Sequence, residues 1–101
     1  MLIIIDMSTA LLLNKEGTLE PIKPTNGTHF TLAELCKALD CEMIEVIYLN
    51  DADNIMIGDE EGRLKDDYVI NPIATKIYQE SWKTTNDIVG NIILCPSKML
   101  K

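Results

Sequence analysis

Short apolar runs, each closed within a few residues by glycine, proline, asparagine or aspartate, limit what this chain can fold into. None approaches the roughly 20 consecutive apolar residues of a membrane-spanning helix. They suit short strands and short amphipathic helices. The 101 residues are enough for one domain, 1–101, around one core. Phe30, Tyr48, Tyr68, Tyr78 and Trp82 are the only aromatic residues, so the core must come from Ile, Leu, Val and Met.

Leu2–Ile5 is β-branched and reads as a strand. Ala10–Leu13 is a second apolar run, and Asn14–Gly17 supplies turn chemistry with Gly17 free to take a positive φ. A hairpin therefore returns over Thr18–Ile22, with Pro21 confining it to an edge or a strand end. Residues 1–25 are thus N-terminal strands and a hairpin, and 26–95 the remaining core. Thr31 and Glu34 form a capping box, and Leu32, Leu35, Cys36 and Leu39 line one helical face. A helix is expected over 31–40, with Phe30 stapled against Leu35. Met43–Leu49 reads as a central strand, Asn50–Asn54 as a polar turn, and Ile55–Ile57 as the returning arm. Asp59–Gly62 is another turn. Asn71 can cap a second helix with Pro72 at its first position and an apolar side of Ile73, Ala74, Ile77 and Tyr78. A last strand covers 88–95, with Gly90 marking a bulge or a close contact. The economical packing is an α+β two-layer sandwich: a mostly antiparallel sheet, both helices on one face, the other face wetter.

The net charge of −7 and the scattered basic residues argue against direct nucleic-acid binding, which needs clustered cations for phosphates. An acidic surface suits solubility or a basic partner. Cys36, Cys41 and Cys95 form no CxxC pair, and the odd count reads as reduced thiols in the cytoplasm. The Cys36–Cys41 spacing and the single histidine, His29, do not make a zinc site. The apolar start Met1–Ile5 is broken by Asp6 and lacks both a basic flank and a cleavage signal, so no leader is expected.

Asp51, Asp53, Asp59, Glu60, Glu61, Asp66 and Asp67 crowd one stretch of the chain. Read as a calcium loop from Asp51, this stretch puts Ile55 and Met56 at positions five and six. Read from Asp59, it puts Arg63 and Leu64 there, and both readings fail. The plain reading is two solvated turns flanking a hairpin. Alternation places Glu45 on the same strand face as Met43 and Ile47, where partial burial would raise its pKa. His29 has no nucleophile at a recognisable spacing, and no glycine pattern matches a phosphate loop. Tyr78 and Trp82 read as residues closing the edge of the core. No metal or cofactor is expected.

Cys41–Leu49, Asp59–Lys65, Asn71–Thr75 and Asp87–Asn91 together resemble a domain-of-unknown-function family of small proteins carried by bacteriophages and conjugative elements. The resemblance covers residues 31 to 95 and leaves out residues 1 to 25. It departs at Asp66–Ile70, where the family tends to carry a proline just before the matching asparagine. It implies a mobile-element setting and brings no catalytic residues. The favoured reading is a non-enzymatic accessory module binding a protein or a small molecule. Its expected contact surface is Asp51, Asp53, Asp59, Glu60 and Glu61, with Asn71, Asp87 and Asn91 beside them. The rival readings are an acidic DNA mimic that blocks a host nuclease, and a small enzyme with a site around Glu45 or Asp87.

Overall fold

The computed structural model describes residues 10–51 and 53–100; the strand expected over Leu2–Ile5 lies outside them. The elements are β1 (Ala10–Leu13), β2 (Leu19–Ile22), α1 (Leu32–Leu39), β3 (Ile44–Tyr48), β4 (Asn54–Asp59), α2 (Pro72–Trp82) and β5 (Ile92–Pro96). Short 3-10 turns cover Gly62–Leu64 and Ser97–Met99. Among the described residues these strands all pair antiparallel, in the order β2-β1-β5-β4-β3, and an isolated parallel bridge joins Phe30 to Leu100. The fold is α+β, with a five-stranded antiparallel sheet and two helices.

Local signals produce the hairpins and helices. Gly17 turns β1 into β2 at φ 97°, a conformation side chains resist. Thr31 caps α1 and makes the full capping box with Glu34. Glu34 accepts from the backbone of Thr31 and Thr25 and from the Thr25 hydroxyl, which hold its carboxyl down to about 2. Phe30 and Leu35 are buried in one cluster, as a staple requires. Asn71 caps α2, and Pro72 opens it.

Two expectations need correction. The helices do not share a face. Phe30, Leu35 and Leu39 pack with Ala10, Ile55, Ile57, Ile93 and Cys95, whereas Ala74, Ile73 and Ile77 pack with Leu13, Met56, Ile92 and Leu94. Neighbouring residues of β1, β4 and β5 thus divide between the two clusters, so the sheet lies between α1 and α2 rather than under both. The reason is in the residues: β4 and β5 are apolar at consecutive positions, which only a sheet covered on both faces can bury. Nor is Met43–Leu49 a central strand. β3 is an edge, with Glu45 and Tyr48 exposed, and the centre is β5, buried at every position. β5 pairs with β1 on one side and β4 on the other, joining the two hairpins.

Gly90, expected to mark a bulge or a close contact, is a corner, and a Cβ there would meet nothing within 4 Å. Ile70 bridges Val89, Asn71 N–H donates to Ile88 O at 2.7 Å, and Gly90 N–H donates to Val69 O at 2.9 Å. Gly90, at φ 77°, then turns the chain into β5. No helix among the described residues is long and apolar enough to cross a membrane.

Candidate functional site

The carboxylates that are neighbours in sequence separate in space. β4 is six residues long, so its ends lie about 20 Å apart. Asp51 and Asp53 sit at one end, in the β3–β4 turn. Asp51 accepts from Asp53 N–H and from the Asn54 side-chain amide, both at 2.9 Å. The Asn54 amide, followed by Asp53 N–H, holds the Asp51 carboxyl below its ordinary range. The carboxylate is committed to its own turn.

At the other end, Asp59 closes β4. It accepts from Glu61 N–H at 2.9 Å and pairs with Lys65 at 3.0 Å. That pairing raises the Lys65 ammonium above its ordinary range. Arg63, the only arginine in the chain, projects from the adjoining 3-10 turn and donates to both the carbonyl and the carboxylate of Asp87. Asp87 is held in place by α2. The Thr75 hydroxyl bonds the N–H and C=O of Ile88 at 2.9 and 3.1 Å, and the Gln79 amide donates to the carbonyls of Thr85 and Asn86 at 3.2 Å. One helix thus fixes a segment that has no regular structure of its own.

Between these parts lies a concavity of about 250 Å³. Its rim carries Glu45, Asp59, Glu60, Arg63 and Asp87; Ile47, Gly58, Ile88, Val89 and Ile92 make its floor. Gly58 faces Glu45 across the β3–β4 pair. A Cβ on Gly58 would lie 2.8 Å from the Ile92 Cδ1 atom, so a side chain here requires the end of Ile92 to shift. Glu45 is the perturbed group. Burial raises its carboxyl first, Glu60 and Asp59 add to the rise, and Arg63 opposes them. Two neighbouring carboxylates therefore repel it, while the Arg63 guanidinium is already engaged by Asp87.

Of the residues expected at a contact surface, Asp59, Glu60 and Asp87 meet here. Glu61 lies on the far side of Asp59, on a separate depression with Cys41, Leu64 and Lys65. Asp51 and Asp53 are at the opposite end of the hairpin. Asn91 accepts from Lys15 N–H at 2.9 Å and ties down the first hairpin. Asn71 is fully buried and is not a surface group. Its amide donates to Leu13 O and Gly90 O at 2.8 Å, and its Oδ1 accepts from Ala74 N–H at 3.0 Å. Sequence reasoning missed Arg63 and the apolar floor. A lone arginine among acids was the available signal for the first. Trp82 closes the end of β3 by donating to Tyr48 O at 2.8 Å. Among the described residues no group of His, Cys, Asp and Glu is arranged to hold a metal ion.

A family model matches residues 7–98. The chain belongs to the family of domains of unknown function designated DUF3846. The match takes in the β1–β2 hairpin, which the resemblance drawn over 31–95 left out. Comparison with curated proteins and with solved structures returns no match.

Proposed function

We propose that this domain is a non-enzymatic binding module whose contact surface is centred on the Glu45–Arg63–Asp87 concavity, and that it takes a cationic group carried on an aliphatic stem. A lysine or arginine side chain of a partner protein has that form, as does a small alkylamine. The observation that carries the reading is the pairing of an apolar floor with an acidic rim. Ile47, Ile88 and Ile92 match the methylene stem, and Glu45 and Glu60 match the charge. Burial first, and then repulsion from Glu60 and Asp59, hold the Glu45 carboxyl up, and a cation placed there offsets the repulsion. The chain's net charge of −7 favours the approach of a basic partner. We place the module in the cytoplasm, on its free thiols, and as an accessory of a mobile element, on the resemblance alone.

The test is a titration of the isotope-labelled chain with a lysine-containing peptide and with the same peptide carrying norleucine. The reading requires amide shifts at Glu45, Gly58 and Ile88 with the lysine peptide, weakening as salt is added. Equal shifts with both peptides, or none, reject it. Replacing Glu45 with glutamine should weaken binding roughly fivefold, about 1 kcal/mol for an exposed charge pair.

A second reading, a small enzyme using Glu45 as a general acid, is favoured by the same raised carboxyl in a concavity. It requires a hydrolase or transferase activity, found by substrate screening, that Glu45→Gln abolishes and Asp51→Asn leaves intact. A screen that finds none, or an activity that survives Glu45→Gln, rejects it.

A further inference from the structure

The C-terminal end of α1 brings two thiols together. Asp40 lies in the left-handed region at φ 51° and ψ 55°. Its N–H reaches Lys37 O, and Cys41 N–H donates to Cys36 O at 3.0 Å. That pair of bonds is the Schellman ending, in which the residue donating the longer bond stacks its side chain on the residue accepting it. In most helices the two are hydrophobic residues. Here they are Cys41 and Cys36, so the 3.0 Å backbone bond brings two cysteines to the positions that normally make that contact. Cys36 Sγ donates to Glu42 O at 3.6 Å. Both thiols are half-buried, whereas Cys95 is fully enclosed in the core.

Cys41 also lines the depression walled by Asp59, Leu64 and Lys65, about 440 Å³ in volume. A small molecule in that opening lies against Cys41, whereas Cys95 is 0% exposed.

We propose that Cys36 and Cys41 form a dithiol site that takes a low-molecular-weight disulfide as its substrate and closes to an intramolecular disulfide. The Cys41 thiolate attacks one sulfur of the incoming disulfide. A mixed disulfide forms on Cys41, and the first small thiolate leaves. The Cys36 thiolate, held at the other end of the same helix ending, attacks the Cys41 sulfur and expels the second small thiolate. The two cysteine sulfurs are oxidised, the external disulfide is reduced to two thiols, and the protons of Cys36 and Cys41 end on those thiols. Burial, Cys36 and Asp59 push the Cys41 thiol up to about 11, opposed by Lys65, so the first step is slow at neutral pH.

The experiment uses the full reduced chain with excess glutathione disulfide in mildly alkaline buffer, quenched by alkylation and mapped by mass spectrometry. Lys37 lies between the two cysteines, so trypsin leaves the product as two peptides joined by one bond. The expected result is a Cys36–Cys41 link with Cys95 unmodified. The ratio of link to mixed disulfide should be about tenfold higher in the folded chain than in urea, because the fold sets the two sulfurs together beforehand. In Cys36→Ser the adduct should stay on Cys41. A ratio unchanged by unfolding, accumulation of mixed disulfides without a link, or disulfide-linked dimers in place of the internal bond would each overturn the assignment.

Discussion

The two ends of the β3–β4 hairpin carry similar carboxylates and put them to different uses. At the turn, both Asp51 oxygens accept bonds from within the turn itself, from Asp53 N–H and the Asn54 amide. At the far end, Asp59 is paired with Lys65 and Asp87 with Arg63, while Glu45 and Glu60 line the same concavity outside both ion pairs. What separates a structural acid from a recognition acid is therefore the set of donors within reach, not the density of acids along the chain. Asn71 is the extreme of the first kind, a polar side chain wholly consumed by the fold.

The contrast can be broken at several points. Asn71→Ala should have the largest effect, a loss of about 3 kcal/mol, because it strands one buried N–H and takes the donor from two carbonyls. Urea denaturation would read it, and a loss near zero would show that those groups find other partners. Asp51→Ala should cost about 1 kcal/mol as a lost turn cap and leave binding of a lysine peptide unchanged. Glu60→Gln should do the reverse, holding stability within about 0.5 kcal/mol while weakening that peptide. If the two substitutions behave alike, the distinction between the ends fails. Gly58→Ala fills the floor against the flexible end of Ile92, so it should reduce peptide binding at a stability cost of about 1 kcal/mol.

The smallest expected effect is in the pH dependence. The folded Glu45 carboxyl titrates above its ordinary 4.5. The folded state therefore holds the proton longer than the unfolded chain does, and stability falls as pH rises through the interval just above that value. Glu45→Gln removes this fall, so the variant should gain on the parent between acidic and neutral pH. Glu34 acts in the opposite sense: its support for α1 is present above 4.5 and disappears as pH drops toward about 2. Melting curves across pH, read for Glu45→Gln and Glu34→Gln, separate the two.

Features set by neighbours in sequence were legible. The Thr31–Glu34 box, the staple at Phe30, the cap at Asn71 and the turn at Gly17 each depend on residues a few positions apart. The face of Glu45 followed from alternation alone. The two-sided covering of the sheet was written in the unbroken apolar runs of β4 and β5, and was misread because one face was taken to be wetter. The site itself was hardly legible. Arg63 meets Asp87 across 24 positions, and Asn71 reaches Leu13 across 58, separations that no local pattern encodes. The acids nearest in sequence drew attention to a cluster that the length of β4 pulls apart.

β5 is the strand made last of the five, yet it holds the middle place in the sheet. Until it leaves the ribosome, the two hairpins have no shared partner and the oily edges of β1 and β4 stand open. The nascent chain must therefore delay its cooperative collapse, and a stall before Ile92 would release two sticky halves rather than a smaller domain.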